Sequence, residues 1–513
     1  MTDLLVRDSG SFRDSSAYLF RFGNRIIRGL SARALDNYLG ALKSGLIERA
    51  VEQGLLIAST QLNEDQLLNI VEQSSSDHPQ PSVGRTGMIG ARGENFAAFL
   101  EHPLVPMITY PYEWCFEQLK DAALQHLKLQ LLALEFDYEL SDATAYNMQF
   151  NGNMALPLHI DPPSLRPYRP GRPWEAYNQF CRQFLYPLLL ENRKSVPFQR
   201  YYRGSLNGID VNDMAQFLSP WQKWSSLTML IHVQLQASAI KRSTSNDIGE
   251  NNAAANNRLK IPVISKSKYQ TILTNLQDVI QGLKSQRSKT YWADYAQINS
   301  YSDQQKQAKR KFIKEKIEIW GCNTIADIGG NTGEYSEAAL KGGAKIALCL
   351  DSDIDAVSVA YAKHRSSDHG LLPLVMDWSD PSPSQGWGGY ERKSLRDRMK
   401  VDAVLALAII HHIVIGGNVP MMEFIKEIFS YSNRAIIEFV PKSDPMVMGL
   451  LRHREDIFSD YNEENFVDLL KQIARIEGVY RFSDTKNIGG HEGRVLHANN
   501  FNQGRVIYAA EKI

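Results

Sequence analysis

Three carboxylates and a glycine-rich turn in the second half of the chain have the residue types and spacing of a ligand site. The turn, Gly329-Gly330-Asn331-Thr332-Gly333, follows an apolar run that ends at Asp327. Two further apolar runs end in Asp351 and in Asp377, and Asp377 is followed by Trp378. Glycines let the main chain approach a ligand without a Cβ clash. The pattern predicts a site in which bare backbone lies beside negative charge.

The neighbouring residues discriminate between a phosphate, a dinucleotide and a sulfonium nucleoside. A Walker loop is excluded because no Gly-Lys-Ser/Thr follows the turn. The GxGxxG fingerprint also fails, since Asn331 and Glu334 occupy its second and third glycine positions. Three carboxylates would repel a pyrophosphate and attract a sulfonium cation. We expect Asp351 to accept ribose hydroxyls, Asp377 to accept an adenine amino group, and Trp378 to face the adenine ring.

The elements that position these residues are strands of a parallel sheet. From Lys311 onward short β-rich runs alternate with helical patterns, and the runs read NTIADIG, KIALCLD, LLPLVMD, VDAVLALAII and NRAIIEFV. Near-continuous apolar runs are typical of strands covered on both faces. The sequence predicts an α/β, doubly wound, Rossmann-like sheet, with the ligand beyond the carboxyl ends of its strands.

These residues also carry a family resemblance. The segments DIGGNTG, LDSDIDAV and MDW resemble the first three motifs of class I S-adenosylmethionine-dependent methyltransferases, with Asn331 replacing the usual middle glycine. The resemblance implies S-adenosylmethionine as cofactor, with Gly329, Asn331 and Gly333 on its methionine side, Asp351 on the ribose and Asp377 on the adenine. A doubly wound domain that has lost its ligand is the alternative.

Two further features complete the candidate site. His411 and His412 follow the fourth strand, where one of them is a candidate general base or acceptor-positioning group; the alternative is that the pair only ends a buried strand. Tyr301, in NSYSDQQK, is a candidate lid residue over the cofactor. The candidate cofactor-binding set is Asp327, Gly329, Gly330, Asn331, Gly333, Asp351, Asp377, Trp378 and Tyr301, and no metal ligands are predicted for this site.

Longer segments resemble a narrower bacterial family. DPSPSQGWGGYERKSL, LALAIIHHIVIGGNVP and EFVPKSDPMVMGLLRHREDIFSDYNEENF are similar to the methyltransferase-like family that includes a host-specificity nodulation protein. HPLVPMITYPYEWCFEQLKDAAL extends this likeness into the first half of the chain. The resemblance does not identify the methyl acceptor, which we expect to be a small molecule, a glycan or a protein.

The first half reads as a small β piece followed by a mostly helical body, an α+β domain. SSAYLFRFGNRIIRGLS predicts a β-hairpin around Gly23-Asn24, and Ser31 is a plausible N-cap of the helix that follows. Long helical patterns cover Glu113 to Phe136 and Pro173 to Leu190. We expect domains at 1–240 and 263–513, joined by a flexible linker at 241–262 that is rich in Asn, Ala and Ser.

A second constellation lies in ELSDATAYNMQFNGNMALPLHIDPPSL. Asp142 and Asn147 have the D-x-x-x-x-N spacing of a kinase catalytic loop, and Asp161 follows 14 residues after Asn147. The first half therefore resembles a kinase-like fold, which implies Asp142 as base and Asn147 and Asp161 as metal ligands. The hairpin lacks GxGxxG and a lysine, and offers Arg25 and Arg28 instead. An ordinary loop, a degenerate nucleotide-binding module and an active kinase all stay open.

Composition limits the partners. The 513 residues are 43% hydrophobic and 22% charged, and Lys+Arg and Asp+Glu both number 57. This balance gives no indication of nucleic acid or membrane binding. Four widely spaced cysteines and a polar start favour a cytoplasmic protein. The leading hypothesis is a methyltransferase; the alternatives are a two-activity protein that also phosphorylates its acceptor, and a scaffold that binds the cofactor without turnover.

Overall fold

The computed structural model divides the chain into two compact units. The first comprises Met1–Ser288 and Gln385–Arg392, and the second comprises Lys289–Ser384 and Lys393–Ile513. The residues that the structure describes are 5–14, 16–73, 82–84, 87–89, 96–151, 156–219, 221–222, 232–233, 263–287, 302–365, 370–482 and 504–513. The expected linker at 241–262 and the candidate lid residue Tyr301 lie outside them.

A seven-stranded sheet forms the centre of the second unit. Its strands are β12 (Thr324–Ile328), β13 (Ile346–Asp351), β14 (Leu371–Val375), β15 (Ala403–Ala406), β16 (Arg434–Phe439), β17 (Ala474–Arg481) and β18 (Val506–Lys512). The spatial order is β14-β13-β12-β15-β16-β18-β17. The first five strands are parallel, and β18 is antiparallel to both of its neighbours. The predicted doubly wound α/β sheet is confirmed.

The apolar strands are buried because helices cover them. The described helices of this unit are Asp303–Trp320, Glu334–Lys341, Ile354–His364, Leu395–Arg398, Met421–Tyr431, Pro445–Leu451 and Glu463–Lys471. One core cluster joins Ile313 and Ile317 of the first of these helices to Ile325, Leu405 and Ile436 of three strands. The switch in strand order lies between β12 and β15, so the carboxyl ends of these strands face the crevice where ligands bind in such sheets.

The first unit contains a five-stranded antiparallel sheet. Its strands are β1 (Leu5–Arg7), β2 (Ala17–Phe22), β3 (Arg25–Leu30), β4 (Thr60–Gln61) and β7 (Ala98–His102), in the order β1-β2-β3-β7-β4. The shorter strands are β5 (Ser82–Gly84), β6 (Gly87–Ile89), β8 (Tyr138–Leu140), β9 (Met148–Gln149), β10 (Leu158–His159) and β11 (Leu165–Pro167). The hairpin predicted around Gly23-Asn24 is β2 and β3, which pair Phe22 with Arg25.

Helices make up most of the remainder of the first unit. They are Ala32–Lys43, Leu46–Glu52, Glu64–Gln73, Phe116–Glu135, Tyr177–Phe180, Tyr186–Lys194, Gln199–Gly204, Val211–Phe217 and Lys266–Gly282. Ser31 caps the first helix as expected, because its side chain accepts a hydrogen bond from the Ala34 amide. The helix Phe116–Glu135 is the central one, since 14 of its 20 residues are buried. The expected α+β, mostly helical first half is confirmed.

The helix Lys266–Gly282 belongs to the first unit, although the sequence suggested a domain start at 263. Tyr269 and Leu273 of this helix are buried, and Gln130 Nε2 donates a hydrogen bond of 3.0 Å to Tyr269 Oη. An apolar stripe at helical spacing identifies a buried helix, but it does not say which core covers it.

Across the described ranges, no helix is long and apolar enough to cross a bilayer.

Candidate functional site

The glycine turn leaves β12 in a left-handed conformation. Gly329, Asn331 and Gly333 have φ of 69°, 49° and 86°. The amides of Gly329 and Gly330 both donate to the Leu350 carbonyl, which ties the turn to the end of β13. Of the turn residues only Gly329 is exposed, whereas Gly330 and Gly333 are buried and Asn331 is half-buried. Gly329 is therefore the bare backbone that faces solvent beyond the strand ends.

The two buried glycines are required by packing. A Cβ on Gly330 would lie 2.6 Å from Cys349 Sγ and 3.1 Å from Asp327 Cγ. A Cβ on Gly333 would lie 3.0 Å from Leu371 Cδ1. These glycines let the turn pack directly against β13 and β14. Their contribution to a ligand site is therefore to fix how close the turn lies to these strands.

Asp327 lies beneath the turn and not at its surface. Asp327 is 1% exposed, and Ser336 Oγ donates a hydrogen bond of 2.7 Å to Asp327 Oδ2. Burial raises the pKa of Asp327 to about 6, although the Ser336 hydrogen bond and the nearby Lys309 favour the charged form. In this position Asp327 fixes the start of the following helix, Glu334–Lys341, through Ser336.

Asp351 stands at the end of β13 and is held by two amides. Asn331 N donates to Asp351 Oδ2 and Asp353 N donates to Asp351 Oδ1, both at 2.8 Å. Burial raises the pKa of Asp351 to about 6, while the two amides favour its charged form. Each carboxylate oxygen keeps acceptor capacity beyond its one amide. The half-buried carboxylate is therefore oriented and can still accept hydroxyl groups.

The third pair of predicted residues divides between surface and core. Asp377 is exposed after β14, and its Oδ1 accepts the Ser379 amide at 2.8 Å. Trp378 is buried, with its ring centre 5.0 Å from that of Tyr431. The Asp377 carboxylate is thus accessible to solvent. The indole of Trp378, which we expected to face an adenine ring, is packed in the core.

The two histidines begin a π-helical turn after β15 and differ in exposure. His411 is buried, and neither of its ring nitrogens has a hydrogen-bond partner among the described residues. His412 is half-buried, and the two ring centres are 4.2 Å apart. Burial, the neighbouring His412 and Arg505 lower the pKa of His411 to about 2; burial and Arg505 also lower the pKa of His412. Both imidazoles are neutral at pH 7.

The histidine loop and the glycine turn lie side by side. A Cβ on Gly329 would be 3.0 Å from Ile409 Cδ1, and Ile409 precedes His411 by two residues. Neighbouring β12 and β15 bring these loops together at the switch in strand order. The exposed Gly329 and the loop that carries the histidine pair are therefore neighbours at the switch in strand order, and Asp351 ends the strand on the other side of β12.

A buried charge network below this crevice was not predicted. Lys309 pairs with Glu438 at 2.6 Å, Arg505 lies 3.8 Å from Glu438, and Arg505 also donates to Asp444 at 2.8 Å. The sequence does indicate that Lys309 of the first pair is buried. Lys309 lies four residues before Ile313 and eight before Ile317, and so on the apolar face of its helix.

The fit of S-adenosylmethionine to this crevice depends on its donors and shape. Gly329 is exposed and has a left-handed backbone, and Asp351 and Asp377 supply carboxylates at two adjacent strand ends. A cationic nucleoside with ribose hydroxyls and an amino group matches these acceptors. The chemistry of these residues therefore fits this cofactor, and Asp351 is the acceptor that amides orient best.

The predicted kinase-like residues converge in the first unit. Asn147 Nδ2 lies 3.5 Å from Asp142 Oδ2, and the buried Asp142 Oδ1 has no hydrogen-bond partner among the described residues. Burial, Asp161 and Asp14 raise the pKa of Asp142 to about 7. Burial and Asp161 also raise the pKa of Asp14, which lies in the loop between β1 and β2. Asp14, Asp142 and Asp161 are therefore close enough for the charge of one to affect the pKa of another. We call these three carboxylates the acidic cluster.

Arg28 supplies the positive charge of this cluster. The Arg28 side chain, on β3, pairs with Asp161, and its Nη2 donates to the Ile160 carbonyl at 3.1 Å. The sequence offered Arg28 only as a substitute for a missing lysine, and the structure brings it to Asp161. In the described part of the chain, no group of three or more His, Cys, Asp or Glu side chains is arranged to hold a metal ion.

Comparisons of the chain with solved structures give partial matches. No protein-family model matches it. It matches solved structures of the bifunctional kinase-methyltransferase WbdD (13% identity, 46% of each chain, TM-score 0.29) and of an S-adenosylmethionine-dependent methyltransferase from Clostridium acetobutylicum (13% identity, 42% of this chain and 95% of that chain, TM-score 0.28). The chain thus spans less than half the length of the WbdD chains that it matches.

A curated relative covers nearly the whole chain. Nodulation protein NoeA of Rhizobium meliloti (strain 1021) is 39% identical over 476 residues, which are 92% of this chain and 92% of the relative. The expected resemblance to the family of a nodulation protein is confirmed, and this chain belongs to the NoeA family.

Proposed function

We propose that the second unit is an S-adenosylmethionine-dependent methyltransferase acting on an unidentified nucleophilic acceptor. The observation that carries the proposal is the side-by-side position of the exposed Gly329, the amide-held Asp351 and the loop that bears His412. When bound, S-adenosylmethionine supplies an electrophilic methyl group on a positively charged sulfur.

The residues of the crevice would have separate roles. Asp351 would accept the ribose hydroxyls, since its two oxygens are already oriented by amides. Asp377 would accept the adenine amino group from the exposed end of β14. Gly329 would let the cofactor lie against the main chain. The main contribution of the protein would then be to position the acceptor and exclude water.

His412 is the better candidate of the two histidines for handling a proton. It is half-buried and therefore accessible, whereas His411 is buried behind it. A neutral imidazole can take a proton from an acceptor hydroxyl or amine as that group becomes methylated. His411 would then support the ring of His412, at a distance of 4.2 Å between ring centres.

Cofactor titration tests the binding half of the proposal. Isothermal titration with S-adenosylmethionine should show binding to the whole protein, and Asp351→Asn should weaken it by roughly tenfold to a hundredfold. Asp468→Asn, an exposed carboxylate on the helix Glu463–Lys471, is the matched control and should bind like the parent. Equal affinity in the parent and Asp351→Asn would remove Asp351 from the site.

Turnover separates an enzyme from a scaffold that only binds the cofactor. The protein, S-adenosylmethionine and a cell extract as the source of acceptor should form S-adenosylhomocysteine. Binding without this product under saturating cofactor would favour the scaffold. Labelled methyl transferred to a small molecule, a glycan or a protein in the extract would identify the acceptor class.

A second candidate function concerns the first unit, and the acidic cluster favours it. We propose that this unit binds a nucleoside triphosphate with a divalent cation, in the manner of a kinase-like fold. In protein kinases a cation on the third strand, a catalytic Asp, an Asn and a metal-binding Asp surround the phosphates. Arg28 on β3, Asp142, Asn147 and Asp161 are the corresponding residues here, and the unpartnered Asp142 Oδ1 is consistent with a ligand.

Titration with magnesium ATP tests this second candidate. The parent protein should bind it, and Asp161→Asn should abolish the binding because the cation would lose a carboxylate. Glu101→Gln is a matched control, since Glu101 also pairs with an arginine of β3, Arg25, but in a half-buried position away from Asp142 and Asn147 in sequence. Absence of magnesium ATP binding to the parent would end this candidate and leave the methyltransferase proposal untouched.

A further inference from the structure

Eight residues from within the sequence of the second unit are part of the first unit. Gln385–Arg392 lies between β14 and β15 in sequence, yet it is grouped with the first unit, while Ser384 and Lys393 on either side are grouped with the second. We call Gln385–Arg392 the strap. In sequence, the strap interrupts the second unit.

The strap has a defined structure of its own. Gln385 and Arg392 pair through two backbone hydrogen bonds of 2.9 Å, which close it into a loop. Inside this loop Glu391 Oε2 accepts the Trp387 amide at 2.8 Å. Gly386 has φ of 80°, and a Cβ there would lie 2.6 Å from Glu391 Oε2. The glycine therefore lets the backbone fold around the Glu391 carboxylate.

Glu391 attaches the strap to the loop between β1 and β2. Arg13 donates two hydrogen bonds to the Glu391 carboxylate, at 2.7 Å and 2.9 Å, and Ser9 Oγ donates to the Tyr390 carbonyl at 2.9 Å. A Cβ on Gly10 would lie 3.0 Å from the Glu391 carbonyl oxygen. The Glu391 side chain is 5% exposed. Burial favours its neutral form, but Arg13 and the Trp387 amide outweigh burial and lower its pKa.

Arg392 attaches the strap to the loop that carries Asp142 and Asn147. Its guanidinium lies 4.4 Å from the ring centre of Tyr146, a cation–π contact. Tyr146 is buried and directly precedes Asn147 in that loop. A further contact joins Gln385 Nε2 to the Arg203 carbonyl at 2.6 Å. The strap is therefore fixed at both of its closing residues.

Each attachment point lies in a loop that carries a residue of the acidic cluster. The loop between β1 and β2 contains both Arg13 and Asp14, and the second loop contains Tyr146 between Asp142 and Asn147. In protein kinases the loop between the first two strands covers the phosphates of the nucleotide. The strap thus contacts two loops that each carry a carboxylate of the acidic cluster.

We infer that the strap is an autoinhibitory element of the first unit, which must detach before a nucleotide reaches the acidic cluster. This inference rests on the second candidate function. A ligand that binds only the detached form has its apparent affinity reduced by the fraction of protein in that form. By linkage, bound nucleotide must favour the detached strap to the same degree.

Two measurements on the full-length protein test the inference. Arg13→Met removes both hydrogen bonds to Glu391 from a side chain that is largely exposed, so the fold should be preserved. Hydrogen exchange of residues 8–14 and 385–392 should become faster. Affinity for magnesium ATP should rise by about tenfold if the attached form dominates by about ten to one. Arg21→Met, an exposed arginine on β2, is the matched control and should change neither.

Any result other than faster exchange together with tighter ATP binding overturns the inference. These results differ in whether they also reject the second candidate function. Faster exchange with unchanged ATP affinity shows that the strap detaches without effect on the site, so autoinhibition fails and nucleotide binding stands. If exchange is unchanged while ATP affinity rises, the gain does not come from detachment of the strap, and if both are unchanged, the Arg13–Glu391 attachment does not restrain the site; either result rejects the inference. Absence of ATP binding to both proteins removes the second candidate function together with its regulation.

Discussion

Lys309 Nζ donates a hydrogen bond of 2.6 Å to Glu438 Oε2 between two side chains that are 1% and 0% exposed. The pair joins the helix Asp303–Trp320 to β16 below the candidate crevice. Burial lowers the pKa of Lys309 although Glu438 favours its charged form. The ammonium also lies 4.2 Å from the ring centre of Tyr335. Because each charge is compensated by its neighbour, the removal of one is more damaging than the presence of both.

We expect Lys309→Met to lower the free energy of unfolding of the second unit by about 3–5 kcal/mol, because it removes the ammonium that pairs with the buried Glu438 carboxylate. Urea denaturation followed by tryptophan fluorescence measures this loss. Arg310→Met is the control, since Arg310 pairs with Glu334 on the surface and should contribute no more than about 1 kcal/mol. Similar losses in the two variants would contradict the buried role of Lys309.

The alternation of apolar runs and helices was sufficient to predict the five parallel strands, because strands covered on both faces leave a continuous apolar signal. β17 and β18 escaped prediction. β17 reads ARIEGVYR and has only one buried residue, so its pattern resembles a polar surface segment. It is a strand because β18 supplies its hydrogen-bond partners, and pairing between distant segments is not visible in local pattern.

In the candidate sites too, residues close together in sequence could be predicted as a group, whereas contacts between residues far apart in sequence could not. Asp351 and the glycine turn were predictable because motif and spacing lie within 30 residues. The attachment of Glu391 to Arg13 joins residues 378 positions apart, and Arg28 meets Asp161 across 133 positions. Sequence pattern identified Asp142, Asn147 and Asp161 as a group, but only the fold could bring Arg28 and Asp14 to them. The burial of Trp378 against Tyr431 also depends on tertiary packing.

Gly330→Ala should destabilise the second unit by roughly 1–3 kcal/mol, because its Cβ would lie 2.6 Å from Cys349 Sγ. Thermal unfolding measures the effect. Cys349→Ala removes the obstructing sulfur, so the double variant should lose less than the sum of the two single losses. Additive losses would show that the turn accommodates the methyl group by moving elsewhere, and that Cys349 does not set its position.

Asp142→Asn should stabilise the first unit in a pH-dependent way. The pKa of Asp142 is raised to about 7 from an ordinary value of 3.8, so the folded protein binds this proton more tightly than the unfolded chain. The parent therefore loses stability as pH rises from about 4 to about 7, and the loss stays constant above that range. The advantage of the variant should grow over the same window, to roughly 1–3 kcal/mol.

Urea denaturation of parent and Asp142→Asn at pH 4.5, 6 and 8 measures this difference. Asp213→Asn, an exposed carboxylate on the helix Val211–Phe217, is the control and should show no growing advantage. An advantage that is constant from pH 4.5 to pH 8 would mean that the proton on Asp142 is not linked to folding. A loss of stability at pH 8 would show that its charge is needed for the fold.

His412→Gln should lower the rate of S-adenosylhomocysteine formation by about a hundredfold or more while cofactor affinity stays unchanged, because a positioned base is lost and the cofactor contacts are not. In the parent, burial and Arg505 lower the pKa of His412 below 6.5. The imidazole is therefore still neutral at pH 6.5, and the rate should not fall by half until the pH is lower than that. His411→Gln is the comparison, since its buried ring should affect thermal stability more than rate. A parent-like rate in His412→Gln, with S-adenosylmethionine still bound, would show that the acceptor loses its proton without this histidine.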